Sequence, residues 1–347
     1  MNLANFAGQR WLGLAICCWA IVCPWEPAKA AELARFNQTQ VHMGVEFEIV
    51  VYAAEKSLAD QGIAAAFARI AELDGKLNDY NLESELSKLS ASAPTPQPVP
   101  VSDDLFHVLS KAEQVASLSG GAFDATIGPL TKLWRRARRQ HQLPDEAQLK
   151  EAFASVGYRK LQTDSKQRRV SLHHEKMRLD LGGIAKGFAA DEGLKTLAKS
   201  GIARALVRAS GDIAAGDPPP GEMGWKVGLA PLNPTEEPTT FVYLKQQAIS
   251  TSGEARQHLI VNGRRYSHLI DPRTGQPLSG RLSVTVIAPR GIEADALASA
   301  VAVLGPEQGN KLIDSCPETS ALMITAADDG TNVQKHASAR FATVANE

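Results

Sequence analysis

The stretch that most constrains the fold runs from Arg178 to Asp191 and reads RLDLGGIAKGFAAD. An apolar run ends at Asp180, two glycines follow, and a helical pattern begins at once. A strand, a tight glycine turn and a helix N-terminus together expose unpaired N–H groups at the positive end of the helix dipole. The GGxxxG spacing differs from the dinucleotide fingerprint, and Lys186 lacks the Ser or Thr that follows the lysine of a P-loop. The stretch therefore predicts either an anion-binding turn or a plain strand-to-helix connection.

The overall composition is that of an ordinary globular protein. The chain has 347 residues, of which 44% are hydrophobic, and its formal net charge is -1. This length suits one large domain or two closely packed ones. The balanced charge argues against nucleic acid as a partner.

Residues 1–30 have the pattern of a cleaved secretory signal. Arg10 precedes an apolar segment from Trp11 to Cys23, and an A-x-A cleavage pattern ends at Ala30. The apolar core is too short to span a bilayer, which leaves an uncleaved N-terminal anchor as the alternative. We therefore expect an exported, periplasmic protein, either free or associated with the inner membrane. After cleavage only Cys316 remains, so no internal disulfide can form.

The hydrophobic periodicity predicts an α+β fold for residues 31–330, a two-lobed mixed fold with largely antiparallel sheets and packed helices. The pattern predicts helices at 56–77, from Ser102 to 120, at 144–156, from the glycine turn to 201, at 294–304 and at 306–315. It predicts strands at 41–53, within 158–179, and at 205–208, 225–229, 240–244, 248–251, 259–261, 283–288 and 321–325. Residues 328–347 are polar and expected to fray, and residues 331–347 are expected to form a C-terminal tail.

Three further stretches carry residue types suited to chemistry. Asp295 and Ser299 are four residues apart on a predicted helix, so they share one face and could ligate Mg²⁺, although an Asp there also complements the helix dipole. His268 precedes the turn sequence of Asp271 to Gly275 and suits either a general base or a structural histidine. Small residues around Phe123 suit a backbone lying against a flat ring, which is a weak signal alone.

Together these motifs are specific, because many of them occur in a fixed order. The order is Met-Gly before a strand, Asn-Asp-Tyr, Gly-Gly-x-Phe-Asp-x-Thr with Gly-Pro-Leu, Asp-Leu-Gly-Gly-Ile-Ala-Lys-Gly, Ser-Gly-Asp-Ile, Ser-Thr-Ser-Gly, Ser-His-Leu-Ile-Asp-Pro-Arg-Thr-Gly and Ala-Asp-Ala-Leu-Ala-Ser. Over residues 36–325 the chain resembles the ApbE family of flavin transferases. Members bind FAD and Mg²⁺, split the pyrophosphate and attach FMN to a Thr or Ser of an acceptor protein, releasing AMP.

The resemblance implies a set of site residues. Those expected to hold FAD are Met43, Tyr80, Ala122, Phe123, Asp124, Asp180, Lys186, Leu269 and Ile270. Those expected to hold Mg²⁺, or alternatively Mn²⁺, are Gly183 through its carbonyl, Asp295 and Ser299. The family often has Thr in place of Ser299 and Gly in place of Ser210; the hydroxyl ligand is kept in the first case.

The acceptor hydroxyl needs a base, for which His268 is the hypothesis and Asp271 the runner-up. Because the chain has no acceptor-like Asp-Gly-x-Ser-Gly-Ala-Thr segment, it is expected to modify another protein, such as a flavin-carrying subunit of a membrane electron-transport complex. A magnesium-dependent FAD pyrophosphatase would need nearly the same site and stays open as an alternative. A non-catalytic flavin-binding protein would be expected to lack the metal carboxylate, whereas Asp295 is present.

Overall fold

The structure is a computed structural model that describes residues 32–233, 236–253, 258–261 and 264–344. The expected secretory signal, residues 1–30, lies outside these ranges. Within them, no helix combines the length and the apolar character needed to span a membrane.

The described residues form an α+β fold in which every pairing between strands is antiparallel, as the sequence predicts. The strands are β1 (Ala34–His42), β2 (Val45–Ala53), β3 (Val99–Pro100), β4 (Leu161–Asp164), β5 (Arg169–Leu172), β6 (Ala205–Ala209), β7 (Asp212–Ala215), β8 (Trp225–Gly228), β9 (Phe241–Leu244), β10 (Gln247–Gly253), β11 (His258–Val261), β12 (Arg264–Ser267), β13 (Arg281–Ala288), β14 (Ser320–Ala326) and β15 (Gln334–Ala337). The helices are α1 (Lys56–Leu77), α2 (Glu85–Ala91), α3 (Asp103–Leu118), α4 (Gly128–Gln140), α5 (Glu146–Ala154), α6 (Ala185–Lys199), α7 (Gly291–Ser315) and α8 (Ala339–Val344).

An eight-stranded sheet forms the centre of the fold, with the strand order β1-β2-β6-β7-β10-β13-β14-β15. Its strands alternate between two buried faces, as the two-residue period of a strand requires. Ile49 and Val51 belong to the main core, which also contains α1, α3, α6 and α7, whereas Val50 joins a second cluster with Trp225 of β8. Three smaller sheets, β3-β5-β4, β8-β9 and β11-β12, lie outside this one.

Helices α6 and α7 approach so closely near their N-termini that no side chain fits between their backbones. A Cβ atom placed on Gly187 would lie 2.1 Å from the carbonyl oxygen of Gly291, and one placed on Gly291 would lie 2.5 Å from that of Gly187. Asp191 of α6 reinforces the contact by accepting hydrogen bonds from the backbone N–H groups of Gly291 (2.7 Å) and Ile292 (3.0 Å). These two donors are among those that a helix start leaves unpaired. Two glycines and one carboxylate thus fix how the helices cross.

Several sequence predictions are confirmed in detail. Helix α1 has the predicted bounds, and Ser102 caps α3 by accepting a hydrogen bond from the N–H of Leu105. The predicted break near the middle of the last long helix is also present, since Gly305 has φ 74° within α7.

Other predictions need correction. The single strand expected at 41–53 corresponds to β2, but it begins after a turn at Met43 and Gly44, both with positive φ, and the preceding strand β1 was not predicted. The segment before the glycine turn is not a strand, because Arg178 makes only an isolated parallel bridge to Ile127. Strands β7 and β12 were not predicted at all. Both are short, and β12 is polar, so they carry little hydrophobic pattern.

The expectation of a fraying polar tail at 331–347 is wrong for residues 334–344. Strand β15 pairs with β14 along the sheet edge, and Phe341 of α8 is buried in the second cluster. An edge strand is held by backbone hydrogen bonds, so a polar sequence can form one without an apolar pattern.

The helix contact gives a testable prediction. Gly187→Ala should lower the free energy of unfolding by about 3 kcal/mol, because the added methyl group would overlap a backbone oxygen that cannot rotate away. Gly75→Ala is the matched control, since Gly75 also lies in a helix but its Cβ position is open. The control should gain about 0.5 to 1 kcal/mol from helix propensity. Urea unfolding measures both; equal effects of the two substitutions would contradict the contact.

Candidate active site

A lysine between two buried carboxylates lies where α6 and α7 meet. The Nζ atom of Lys186 is 3.0 Å from Asp212 Oδ2 and 3.3 Å from Asp295 Oδ2, and it donates to the carbonyl oxygen of Gly182 at 3.0 Å. Asp295 also accepts a hydrogen bond from the N–H of Gly187 at 3.1 Å. The structure therefore joins the glycine turn to the helix that carries Asp295.

Strand pairing places Asp212 in this cluster. Asp212 begins β7, opposite Ser250 of β10, and the Ser250 hydroxyl donates to Asp212 Oδ1 at 2.5 Å. Two motifs from the sequence, Ser-Gly-Asp-Ile and Ser-Thr-Ser-Gly, thus support one carboxylate that faces Lys186.

The residues expected to hold the metal also come together. A Cβ atom placed on Gly183 would lie 2.7 Å from the Oγ atom of Ser299 and 3.5 Å from the ring of Phe123. Asp295 lies one helical turn before Ser299 on α7. The Gly183 carbonyl, the Asp295 carboxylate and the Ser299 hydroxyl therefore lie in one small region. This region also adjoins the aromatic ring expected to contact the flavin nucleotide.

The charges and donors of this region fit a hard divalent cation. Burial and the nearby Asp212 raise the pKa of Asp295 well above its usual range, and the Lys186 ammonium offsets this only in part. Burial would lower the pKa of Lys186, but the two carboxylates outweigh it and raise that pKa. The cluster has two carboxyl groups for one ammonium, and the ligands expected for the metal are all oxygens, as Mg²⁺ prefers. No cluster of three or more His, Cys, Asp or Glu suited to a metal occurs among the described residues.

A second cluster surrounds Asp180 at the start of the glycine turn. Its carboxylate accepts hydrogen bonds from the hydroxyl of Thr131 (2.7 Å), the guanidinium of Arg135 (2.9 Å) and the N–H of Gly182 (2.8 Å). Asp180 therefore ties the turn to α4, so the chain itself occupies much of its hydrogen-bonding capacity. The predicted contact between Asp180 and FAD stays a prediction.

Arg135 connects this cluster to the residues that follow α1. Its guanidinium donates to Asp79 Oδ2 at 2.6 Å and lies 4.4 Å from the ring centroid of Tyr80. Burial and the neighbouring Asp180 raise the pKa of Asp79, against the opposing effect of Arg135. The ring of Tyr80 is 69% exposed, so one face of it can stack on a planar ligand.

The segment expected to face the flavin nucleotide, residues 122–124, is buried. Ala122 and Phe123 are buried, and the N–H of Phe123 donates to Ser119 Oγ at 3.1 Å. Asp124 is also buried and accepts from the N–H and the hydroxyl of Thr126, both at 2.7 Å. Asp124 therefore holds the turn in which it lies, and its contact with FAD stays a prediction.

The turn that carries the candidate bases packs on α4. Ile270 is buried in a cluster with Leu130 and Trp134, and the Trp134 indole donates to the carbonyl of Gly275 at 3.2 Å. Leu269 is partly buried against the main core. The opposite side of this turn reaches Gly121, whose Cβ position is 3.9 Å from the Cγ atom of Arg273.

The two candidate bases differ in their surroundings. Asp271 accepts hydrogen bonds from the guanidinium of Arg273 at 2.9 and 2.8 Å and from its backbone N–H at 2.9 Å. The Asp271 carboxylate therefore forms its hydrogen bonds within the turn. His268 directly follows β12 and is half-buried. Which of the two residues acts as the base stays a prediction.

Met43 lies in the hairpin turn between β1 and β2, where its backbone has φ 49° and its N–H donates to Asp74 Oδ2 at 2.9 Å. Asp74 also accepts from the side-chain amide of Asn78, which lies two residues before Tyr80. Asp74 thereby connects the hairpin to the segment that carries Tyr80.

Three residues with clear roles were not predicted as site residues: Arg135, Asp191 and Asp212. Asp191 and Asp212 lie within motifs already singled out, so the signal was present but no partner could be assigned. Arg135 lies in a basic helical segment with four other arginines or lysines, where the sequence does not indicate which one faces inward.

The role of Arg135 can be tested by its removal. Arg135→Ala should cost about 2 to 3 kcal/mol of stability at neutral pH, because it leaves Asp79 and Asp180 without their shared cation. The neighbouring Arg136→Ala is the matched control and should stay within about 0.5 kcal/mol.

The loss in Arg135→Ala should shrink as the pH falls. Without the guanidinium, the already raised pKa of Asp79 rises further, so the folded state binds a proton more readily than the unfolded state. Urea unfolding from neutral to mildly acidic pH measures this. A loss that stays constant or grows toward acidic pH would contradict the assignment.

Comparisons with known proteins identify related sequences. The model of the ApbE family matches residues 43–323. A protein of Treponema pallidum named FAD:protein FMN transferase is 31% identical over 310 residues, which cover 85% of each chain. One of the same name from Klebsiella pneumoniae is 29% identical over 302 residues, again covering 85% of each chain.

Solved structures resemble the fold as well. The flavin transferase ApbE from Vibrio cholerae superposes with a TM-score of 0.78 at 28% identity, over 90% of this chain and 99% of that one. The ApbE protein of Thermotoga maritima gives a TM-score of 0.79 at 28% identity, over 90% and 100% of the two chains. The motifs, the site geometry and these matches lead to one conclusion: the chain belongs to the ApbE family.

Proposed function

We propose that this protein is an FAD:protein FMN transferase, which moves FMN from FAD to a Thr or Ser hydroxyl of an acceptor protein and releases AMP. The observation that carries the proposal is the convergence of the Lys186 and Asp295 pair with Gly183 and Ser299 beside Phe123. This arrangement combines a cation for phosphate, oxygen ligands for a metal and an aromatic ring for the nucleotide. The names of the related proteins support the same activity.

In the proposed reaction, the acceptor oxygen attacks the phosphorus of the FMN half of FAD. The bond between this phosphorus and the bridging oxygen breaks, and AMP leaves with that oxygen. Lys186, whose donors are held by Asp212, Asp295 and the Gly182 carbonyl, is proposed to place its positive charge near the phosphates, which favours the orientation of the pyrophosphate for in-line attack. Tyr80 and Phe123 hold the flavin nucleotide, so that binding energy far from phosphorus fixes the geometry of the reacting atoms.

Gly183, Asp295 and Ser299 would hold a Mg²⁺ ion. When bound, this ion supplies positive charge that neutralises the pyrophosphate and the leaving group. Asp212 would keep Lys186 in place beside Asp295, and Asp191 would keep the start of α7 against α6.

The acceptor hydroxyl is a weak nucleophile at neutral pH and must lose its proton as the phosphoester forms. His268 is proposed to take that proton. Asp271, already bound by Arg273, is proposed to hold the shape of the turn that presents His268.

We further propose that the protein is exported to the periplasm and that its acceptor is a flavin-carrying subunit of a membrane electron-transport complex. The apolar segment and the A-x-A pattern in residues 1–30 support export. Sequencing the N-terminus of the mature protein tests this proposal, with Ala31 as the expected first residue. A protein that starts at Met1 in the cytoplasm would contradict it.

The function is tested by incubating the protein with FAD, Mg²⁺ and exported proteins of its host, followed by mass spectrometry. The proposal predicts a Thr- or Ser-linked FMN on a protein and release of AMP in equal amount. Free FMN and AMP without a modified protein would identify a pyrophosphatase instead.

Substituting the two carboxylates near the glycine turn should have different effects on FAD binding and turnover. Asp295→Ala should bind FAD but lose nearly all turnover, because it removes a metal ligand without removing nucleotide contacts. Asp180→Ala should weaken FAD binding, because the turn loses its connection to α4 through Thr131 and Arg135. Isothermal titration with FAD and single-turnover assays separate the two effects. Loss of FAD binding in Asp295→Ala, with full FAD binding in Asp180→Ala, would contradict both assignments.

The candidate bases can be separated in the same assay. His268→Ala should reduce transfer at saturating FAD by about 10²- to 10⁴-fold, the usual contribution of a general base. Asp271→Asn should retain much more activity, because an amide oxygen can still accept from Arg273. If His268→Ala keeps nearly normal transfer while Asp271→Asn loses it, the base is Asp271.

A further inference from the structure

A groove with a cavity volume of about 670 Å³ lies on a face of α4 that the proposed reaction does not use. Helices α2, α4 and α5 and residues 176–178 form its walls. None of the residues assigned to FAD, to the metal or to the base is among the described residues that line it. This volume is within the usual range for pockets that bind ligands.

The groove is strongly basic. Lys132, Arg136 and Arg139 follow one another at helical spacing on the exposed side of α4, and Lys176 lies on another wall. Among the described residues that line the groove, Glu151 is the one carboxylate, and it is paired with Lys176 at 2.5 Å. The three α4 cations therefore give this surface, here called the basic groove, a positive potential that favours an anionic partner.

The basic groove also has apolar walls. Leu82, Leu133 and Met177 line it, and the side chain of Leu82 is 72% exposed. The hydroxyl of Ser87 lies in its wall, buried and without a hydrogen-bond partner. An exposed leucine and three cations on α4 that have no carboxylate partner among the described residues together indicate a surface that a partner completes.

The groove adjoins the flavin site through the chain itself. Leu82 lies two residues after Tyr80, and Arg136 directly follows Arg135, which contacts the Tyr80 ring. Arg178 lines the groove two residues before Asp180. Arg178 also donates to the backbone carbonyl of Asp79, the residue before Tyr80, so the groove and the proposed flavin site share the elements that form them.

We propose that the basic groove docks the acceptor protein, through a segment of that protein with carboxylates and an apolar side chain close to the modified Thr or Ser. The proposal rests on the proposed function, which requires a protein acceptor. Charge complementarity steers such a segment into the groove, and an apolar side chain fixes its position against Leu82 and Leu133. An anionic membrane is disfavoured because a flat bilayer cannot follow a concavity between three helices.

The test compares three forms of the full chain: wild type, Arg136→Glu/Arg139→Glu, and the control Lys199→Glu/Lys335→Glu. The control makes the same change in net charge at two exposed lysines outside the groove. The probe is a short fluorescent peptide with one threonine flanked by aspartates and leucines; a twin peptide has lysines in place of the aspartates. Anisotropy measures peptide binding without FAD, and a separate titration measures FAD binding.

The wild type and the control should bind the acidic peptide about tenfold more tightly than its lysine twin, and high salt should weaken this preference. The groove variant should lose about tenfold in affinity for the acidic peptide while its FAD binding is unchanged. Equal binding of both peptides by the wild type, or equal affinity of the groove variant and the control, would overturn the proposal. So would binding of phosphatidylglycerol vesicles that depends on Arg136 and Arg139 without binding of the peptide.

Failure of the proposed function would be visible separately. Peptide binding that follows the groove charges, combined with release of free FMN and no transfer to any protein, would support the docking surface and contradict the transferase. Transfer to proteins at equal rates by all three forms would support the transferase and overturn the docking surface.

Discussion

The backbone contact between Gly187 and Gly291 is the constraint on which the site depends. Each glycine lies where a side chain would overlap a carbonyl oxygen of the other helix, so α6 and α7 can meet only without side chains at these positions. The contact places the N–H of Gly187 on the carboxylate of Asp295 and brings Lys186 to the same carboxylate. Asp191 fixes the start of α7 from the neighbouring helix. The glycine turn and the carboxylate of α7 thereby become parts of one site.

A second constraint is electrostatic. The cluster of Asp212, Lys186 and Asp295 places two carboxyl groups around one ammonium with little access to water, where charged groups need a partner or a metal ion. The Asp79, Arg135 and Asp180 cluster likewise places two carboxylates around one cation. Both clusters border the glycine turn. The proposed chemistry fits this arrangement, because a site for phosphoryl transfer needs carboxylates that hold a metal ion and basic side chains that face the phosphates.

The sequence predicted the fold class, the bounds of long helices and the motifs that carry the site. These features could be predicted because they depend on local patterns in the sequence. Helix α1 has its apolar residues at helical spacing, and Ser102 lies directly before the helix that it caps. The family resemblance added roles that spacing alone left open. The structure brings Gly183, Asp295 and Ser299 together, but their ligation of a metal stays a prediction.

The features that the sequence did not predict have a common physical cause, because each depends on contacts with residues far away in the chain. Strand β15 forms because β14 offers its edge, although its own sequence is polar. Arg135 matters because its guanidinium meets carboxylates 56 and 45 residues away in the chain. Asp212 acquires its role through pairing of β7 with β10. Such contacts between distant segments leave no local pattern in the sequence.

The central claim is that the crossing of α6 and α7 assembles a divalent cation site beside the flavin nucleotide. Anomalous diffraction from crystals soaked with Mn²⁺ and FAD tests it most directly. The account predicts one Mn²⁺ peak in contact with the Gly183 carbonyl, the Asp295 carboxylate and the Ser299 hydroxyl, next to the pyrophosphate. A peak elsewhere, or bound FAD with its pyrophosphate away from these three groups, would contradict it.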